Sequence, residues 1–220
     1  NKPMPNTKIS GVKVCDADVH GTLFNVHSAA KKSRTNLDGK ADQVSNTWRV
    51  KQLEYSWLLS LMAESVPLWQ ETEKANVYAL SSSEFKDAAL RKKLLNLYLQ
   101  LSCYPKVPRA PKARQDTGKQ SDTLSNDPRD MLDLAVTSSV LGKLPDTSVL
   151  IDDVGVFKVD PRIYEEAITR FSYEPCAICL ISSNTWTASY TEFRFALVNS
   201  LEQPLEHLPS GPSAKIKNCD

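Results

Sequence analysis

The sequence predicts an α/β fold in which a doubly wound, Rossmann-like parallel sheet carries an inserted helical cap. Short apolar runs alternate with helical patterns, and this favours a parallel sheet because consecutive parallel strands need a crossover helix between them. A long helical block follows the first apolar run and precedes the others, as an insertion into a sheet domain would. These two features predict a core domain of residues 1–29 and 104–220 and a cap domain of residues 30–103.

The predicted core elements are short. In chain order they are a strand at 9–19, a helix at 131–140, a strand at 148–151, a helix at 161–170, and strands at 177–181 and 195–198. Asp127 and Pro128 have the residue types of an N-cap and a first helical position, so they predict the start of the first of these helices. Residues 105–124 are rich in proline and charge, which predicts a linker or an exposed crossing. The tail from residue 203 is predicted to be irregular.

The predicted cap contains the strongest helical segment of the chain, residues 46–63. Apolar residues follow helical spacing there in two stripes, one formed by Trp48, Tyr55, Leu59 and Met62 and one by Arg49, Leu53 and Trp57. A helix with two such stripes packs on two sides. Two further helices are predicted at residues 70–80 and 83–101.

Charge and hydropathy exclude several classes of partner. The chain has 27 Lys and Arg residues against 26 Asp and Glu residues, so no large net field indicates nucleic acid or an anionic membrane surface. No apolar run approaches the roughly 20 residues of a membrane-spanning helix. The first residues lack the apolar segment of a secretory signal, so we expect a cytoplasmic protein.

Cysteine usage argues against a disulfide framework. The five cysteines are an odd number in a chain that is not short. Cys176 and Cys179 form a C-x-x-C, a spacing that redox and zinc sites use, but no second pair accompanies them. They lead into the apolar run AICLIS, so we expect both to be buried strand thiols.

The residues from Val12 to Ser28, VKVCDADVHGTLFNVHS, are the strongest indication of chemistry. Asp18 follows an apolar run and precedes a glycine-led turn at Gly21. A carboxylate at the carboxyl end of a parallel strand points into the crevice where open α/β sheets bind ligands. Such a carboxylate is a candidate nucleophile, although an aspartate at a strand end more often caps a turn.

The Asp-x-x-Gly-Thr-Leu-Phe arrangement from Asp18 to Phe24 resembles the haloacid dehalogenase superfamily, and the continuation Asn-Val-His-Ser resembles its L-2-haloacid dehalogenase branch. Further blocks occur in the order of that family. They are TWRVKQLEYSWLLSLM at 47–62, Ser125-Asn126, VGVFKVDPRIY at 154–164 and SSNTW at 182–186. Each short block is weak alone, but all of them in order are specific.

The resemblance implies hydrolytic dehalogenation of short L-2-haloalkanoic acids to D-2-hydroxyalkanoic acids through an aspartyl ester. Asp18 would attack the substrate α-carbon, and Arg49 and Asn126 would hold the departing halide. Other implied roles are to orient and ionise the nucleophile (Thr22, Lys158, Tyr164, Ser182 and Asn184), to bind the substrate carboxylate (Ser125 and the backbone near Val19 and His20), and to line the substrate pocket (Val50, Leu53, Leu68 and Trp186).

The resemblance further implies a reaction without a metal or an organic cofactor, a small 2-haloacid as the partner, and a homodimer formed through the cap. A metal-dependent phosphatase is the less favoured member of the superfamily. Phosphatases carry an aspartate directly before the glycine of the first motif and late acidic residues that hold Mg²⁺. This chain has His20 before Gly21, and Asn184 and Thr187 in the late block.

Thr187 is the largest departure from the family pattern, Ser-Ser-Asn-x-Trp-Asp. The final aspartate of that pattern helps to activate the water that cleaves the ester, whereas a threonine hydroxyl is no base near neutral pH. The alternative interpretation is therefore a catalytically impaired or inactive relative, which binds a small carboxylate or a protein partner.

Overall fold

The computed structural model describes residues 11–64, 66–105, 107, 120–137, 148–188 and 193–197. Its strands are β1 (Val14–Ala17), β2 (Gln120–Ser125), β3 (Val149–Leu150), β4 (Ile178–Ser182) and β5 (Arg194–Leu197). They pair in parallel in the order β3-β2-β1-β4-β5, so that β1 lies in the centre of the sheet. The predicted parallel α/β fold is confirmed.

The described helices fall into two groups. Between β1 and β2 lie α1 (Ser28–Lys32), α2 (Ala41–Leu61), α3 (Leu68–Ser82) and α4 (Ala88–Tyr98), which we call the helical cap. The later helices are α5 (Arg129–Thr137), α6 (Ile151–Val154) and α7 (Pro161–Phe171). Short 3₁₀ helices span Arg34–Asn36, Pro175–Ala177 and Thr185–Ala188. None of the described helices combines the length and the apolarity that a membrane span requires.

The sheet is covered on both faces, as a doubly wound fold requires. On one face, Val14 and Leu180 pack with Ile163 and Phe171 of α7. On the other face, Ala17 and Ile181 belong to a cluster that contains Leu132 and Ala135 of α5 and extends into the cap. Alternate residues of β1 and β4 therefore face opposite helical layers, because side chains alternate across a strand.

The linker prediction for residues 105–124 is wrong at its end, where β2 begins at Gln120, and residues 108–119 lie outside the described residues. The sequence of this strand, QSDTLS, is too polar to resemble a buried strand. It forms because β1 pairs with it along four residues, from Val14↔Gln120 to Ala17↔Thr123, and β3 pairs with it on the other side. Sheet context of this kind outweighs weak intrinsic strand preference.

The other predicted elements agree with the structure to within a few residues. Helix α2 begins five residues before its predicted start at 46, and β1 is shorter than predicted. The predicted strand at 148–151 ends at Leu150, and α6 begins at the next residue. The prediction for the tail from 203 lies outside the described residues.

The prediction of two strand thiols is correct for Cys179 and wrong for Cys176. Cys179 is a buried free thiol within β4. Cys176 precedes the strand in the 3₁₀ helix Pro175–Ala177 and is disulfide-bonded. The strand begins only at Ile178, because the proline at position 175 opens a helical turn first.

The cap helices are joined through Trp48 of α2. Its indole nitrogen donates to the Thr72 carbonyl of α3 at 2.9 Å, and its ring lies 5.0 Å from that of Tyr98 of α4. The predicted apolar stripe that begins with Trp48 is not buried along its whole length, because Met62 is 62% exposed. The second stripe, that of Arg49, faces the carboxyl ends of the core strands.

Candidate active site

The first loop of the core holds Asp18 directly after β1. The Asp18 amide donates to the Ile181 carbonyl at 3.0 Å, which continues the pairing with β4 for one residue beyond the strand. The chain then turns at Gly21, whose φ is +90°, and its amide donates to the Phe24 carbonyl at 2.8 Å. A Cβ atom at Gly21 would lie 3.3 Å from Ser183 Oγ, so both the turn and the close approach favour glycine.

Four donors surround the Asp18 carboxylate. The residue is only 5% exposed. Oδ1 accepts from Lys158 Nζ at 2.7 Å and from the Val19 amide at 2.9 Å. Oδ2 accepts from Ser182 Oγ at 2.7 Å and from Asn184 Nδ2 at 2.6 Å. Burial raises the pKa of Asp18, but the Lys158 charge and the hydrogen bonds outweigh it and hold the pKa below its ordinary value. The group is an ionised carboxylate near neutral pH.

Lys158 is placed by the loop between α6 and α7. Helix α6 is followed by Gly155, whose φ of +74° turns the chain back towards the sheet. The Lys158 amide then donates to Asn126 Oδ1 at 2.7 Å, and its ammonium group donates to the Leu124 carbonyl at 2.7 Å as well as to Asp18. The carboxyl ends of β1, β2 and β4 therefore meet at this ion pair, since Ser182 of β4 also donates to Asp18.

A pocket that is open to solvent lies between these strand ends and the cap. Ten of the sequence-predicted site residues line it: Asp18, His20, Arg49, Leu53, Leu68, Ser125, Asn126, Lys158, Asn184 and Trp186. Gln52, Ser56 and Asp127 also line it, although the sequence reasoning missed them. Apolar and polar side chains both line it, as they do in small-molecule sites.

Gln52 holds Arg49 at the pocket wall. Its Oε1 accepts from Arg49 Nη1 at 3.0 Å and from the Tyr98 hydroxyl at 3.1 Å, and its Nε2 donates to Thr72 Oγ1 at 2.6 Å. Burial raises the pKa of Tyr98 to about 12, so its hydroxyl remains a donor. The sequence signal for Gln52 was its spacing: residues three apart on a helix share a face.

Asp127 pairs with His20 instead of capping α5. Its Oδ2 accepts from Ser125 Oγ at 2.6 Å and lies 2.5 Å from His20 Nδ1. The helix amide of Arg129 instead donates to Asp152 Oδ2 at 3.0 Å. The N-cap prediction for Asp127 was wrong because an imidazole from the first loop, which no local pattern reveals, competes for the carboxylate.

Two predicted pocket residues lie elsewhere. Val50 is 51% exposed, since one residue along a helix rotates the side chain away from the face of Arg49. Val19 is fully buried in the core, and its amide is used by Asp18 Oδ1, so this N–H is not free for a substrate carboxylate.

Two residues predicted to orient or ionise Asp18, Thr22 and Tyr164, hydrogen-bond to the segment after β4 instead. The Thr22 hydroxyl accepts from the Ser183 amide at 2.9 Å and so supports the loop that carries Ser182 and Asn184. The Tyr164 hydroxyl donates to the Thr187 carbonyl at 3.4 Å. Burial, followed by the nearby negative charges of Asp18 and Asp16, raises the pKa of Tyr164.

Thr187 is fully buried, and its hydroxyl donates to the Asn184 carbonyl at 2.7 Å. It therefore stabilises the turn that presents Asn184 and supplies no base to the pocket. Within the described ranges, no group of three or more His, Cys, Asp or Glu side chains gathers in a way that could hold a metal ion.

Known proteins that are similar to this chain are dehalogenases and related hydrolases. The family model for haloacid dehalogenase-like hydrolase matches residues 12–189. The chain is 34% identical to (S)-2-haloacid dehalogenase 4A of Burkholderia cepacia over 179 residues, which cover 81% of this chain and 78% of that protein. It is 32% identical to (S)-2-haloacid dehalogenase 1 of Pseudomonas sp. (strain CBS-3) over 200 residues, with 89% and 88% covered.

Solved structures agree. A crystal structure of a dehalogenase has a TM-score of 0.84 and 31% identity, and the match covers 93% of this chain and 92% of that chain. An L-2-haloacid dehalogenase from Xanthobacter autotrophicus with chloropropionic acid covalently bound has a TM-score of 0.75 and 28% identity, with 85% and 77% covered. The chain belongs to the haloacid dehalogenase-like hydrolases, in the L-2-haloacid dehalogenase branch.

Proposed function

We propose that this protein hydrolyses short L-2-haloalkanoic acids to D-2-hydroxyalkanoic acids through an ester on Asp18. The observation that carries the proposal is the ionised, four-fold hydrogen-bonded Asp18 carboxylate, which lines the same small pocket as Arg49 and Asn126. A carboxylate nucleophile and a cation for the leaving group are the two parts that displacement of halide from carbon requires.

In the first step, an Asp18 oxygen attacks the α-carbon, and the carbon–halogen bond breaks on the opposite side. This inverts the configuration, which turns an L substrate into a D product. Arg49 and Asn126 receive the halide, since a guanidinium is a permanent cation with several donors. Gln52 positions the guanidinium, and positioning of the reacting groups contributes a large part of such rate enhancements.

The remaining pocket residues bind the substrate. The main chain near His20 contacts its carboxylate, and Leu53, Leu68 and Trp186 contact its alkyl group. Ser125 lines the same pocket, and its hydroxyl donates to Asp127 Oδ2. Trp186 is itself supported by Trp57 of α2, with the rings 5.5 Å apart in an edge-to-face arrangement. A pocket lined by both apolar and polar side chains supports a small organic acid as the substrate.

In the second step, water attacks the ester carbonyl of Asp18. Ser182 and Asn184 donate to Oδ2 in the free enzyme, and these donors stabilise the oxyanion that forms when water adds. Lys158 stabilises the carboxylate that returns.

Halide counted per enzyme from L- and D-2-chloropropionate tests this proposal. We expect many equivalents from the L substrate and none from the D substrate. Asp18→Asn should abolish release, because an amide is a poor nucleophile. Continued release by this variant would refute the Asp18 mechanism.

A catalytically impaired relative is the second candidate, and Thr187 favours it because its buried hydroxyl is committed to a backbone carbonyl. This candidate predicts no halide, or a single equivalent with a trapped Asp18 ester. Thr187→Asp would then raise turnover if the rest of the site is competent. A metal-dependent phosphatase has no comparable support.

We further propose a homodimer formed through the cap. Helix α2 and the residue that follows it expose a row of apolar side chains: Val50 (51%), Leu58 (54%), Leu61 (84%) and Met62 (62%). Light scattering after size-exclusion chromatography should give twice the monomer mass, and Leu58→Glu with Leu61→Glu should give the monomer. A monomeric wild-type protein would refute the interface.

The domain boundaries 1–29, 30–103 and 104–220 and the cytoplasmic location remain proposals. Limited proteolysis should cleave near residues 30 and 103 before it cleaves within either unit. Cell fractionation of the native organism tests the location.

A further inference from the structure

The hydrolytic half of the proposed reaction needs a group that takes a proton from water. Thr187 does not supply one, because its hydroxyl is fully buried and donates to the Asn184 carbonyl at 2.7 Å. The base must therefore come from another residue of the pocket.

Five ionisable side chains line the described pocket, and three have other roles. Asp18 is esterified at this stage. Arg49 is a permanent cation, and Lys158 Nζ donates to the Leu124 carbonyl. His20 and Asp127 remain, and they contact each other.

The contacts of Asp127 define the state of this pair. Its Oδ2 accepts from the Ser125 hydroxyl at 2.6 Å and lies 2.5 Å from His20 Nδ1, and the residue is only 1% exposed. A carboxylate oxygen with two such contacts fits an anion, so we assign the imidazole proton to Nδ1. Nε2 lies on the other side of the ring, and no described residue hydrogen-bonds to it. In the neutral ring with its proton on Nδ1, this atom carries the lone pair. An imidazole oriented by a carboxylate in this way is a suitable general base.

The ring of His20 is held by a stacking contact, and its backbone lies close to the nucleophile. It stacks on Tyr98 at a centroid distance of 5.6 Å and an angle of 10°. Its main-chain carbonyl accepts from Asn184 Nδ2 at 3.3 Å, and the same amide donates to Asp18 Oδ2 at 2.6 Å. One amide group thus ties the backbone of His20 to the carboxylate that becomes the ester.

We propose that His20 is the general base for hydrolysis of the Asp18 ester and that Asp127 positions it. The inference rests on the proposed function. Nε2 takes a proton from water while the water oxygen bonds to the ester carbonyl carbon. The tetrahedral intermediate then breaks its bond to the substrate oxygen, which takes the proton from Nε2 and leaves as the 2-hydroxyacid. The Asp18 carboxylic acid releases its remaining proton and pairs again with Lys158.

A kinetic partition between the two half-reactions tests the proposal. His20→Asn keeps a side-chain NH₂ near the position of Nδ1, which can still donate to Asp127, but removes Nε2. Halide release in the first turnover and in the steady state would be measured with L-2-chloropropionate, and the ester would be detected by intact-protein mass. We expect one fast equivalent of chloride, an accumulated propionyl ester, and steady-state turnover reduced by about 10²–10⁴-fold.

Two further variants test the role of the base and that of the residue that positions it. His20→Gln places an amide near the position of Nε2 without a base, and it should trap the same ester. Asp127→Asn should slow the second step more than the first, because the imidazole loses the acceptor that orients it.

The outcomes separate this inference from the proposed function. Unchanged turnover in both His20 variants would overturn the inference, and so would an equal loss in both half-reactions, which a merely structural histidine predicts. If the wild-type protein forms neither halide nor ester, the proposed function itself fails and this role fails with it.

Discussion

The buried pair of Asp18 and Lys158 makes a prediction about stability that does not depend on any substrate. Their side chains are 6% and 1% exposed, and Oδ1 and Nζ lie 2.7 Å apart. At an effective dielectric constant of about 20, two unit charges at this distance attract by roughly 6 kcal/mol. Desolvation of both groups offsets part of this attraction. Removal of one partner from such a pair costs about 3–5 kcal/mol, because the other charge stays buried and unpaired.

We therefore expect Lys158→Met and Asp18→Asn each to lower the free energy of unfolding by about 3–5 kcal/mol at pH 7. The double variant buries neither charge, so its loss should be smaller than the sum of the two single losses by about 1–3 kcal/mol. Urea unfolding followed by circular dichroism and by tryptophan fluorescence measures all four proteins, and coincident transitions establish that two-state treatment applies.

The pH dependence of the free energy of unfolding tests the same ion pair. The pKa of Asp18 in the folded protein lies below its ordinary value, because the Lys158 charge and the hydrogen bonds outweigh the effect of burial. The stabilisation is therefore fully present above the unfolded pKa and is lost as the pH falls through the folded pKa. The difference between wild type and Lys158→Met should shrink in acid. Additive single losses, or a difference that grows in acid, would refute the reasoning.

Three further substitutions test other parts of the site. Gln52→Leu removes the acceptor of Arg49 Nη1, so we expect kcat/KM for L-2-haloacids to fall by about 10-fold or more while the fold, followed by circular dichroism, is retained. Gly21→Ala places a Cβ 3.3 Å from Ser183 Oγ at a φ of +90°, which should lower stability by about 1–3 kcal/mol and appear as a lower Tm. Tyr164→Phe removes a hydrogen bond of 3.4 Å to a backbone carbonyl, so its loss in urea unfolding should stay below about 1.5 kcal/mol, and a larger loss would mean that this hydroxyl does more than that one contact indicates.

Local pattern in the sequence was sufficient for the fold class and for the nucleophile loop. The alternation of short apolar runs and helical segments indicates which residues of each element are buried. Such a pattern depends only on residues that are close together in the chain. Asp18 could be placed at a strand end because the apolar run before it and the glycine after it are adjacent in the chain. The cap could be recognised because its helices form one continuous block.

Contacts between distant segments were decided only in the tertiary structure. Strand β2 has a polar sequence and forms because β1 and β3 pair with it. Asp127 has the residue type of a helix cap, yet it holds His20, which lies 107 positions earlier. Gln52 faces the site and Val50 faces solvent, because a helix presents only one face to the strands. The periodicity of a sequence indicates that a side chain is buried. The residue that this side chain contacts depends on how separate elements pack. These contacts between separate elements assemble the pocket into a site.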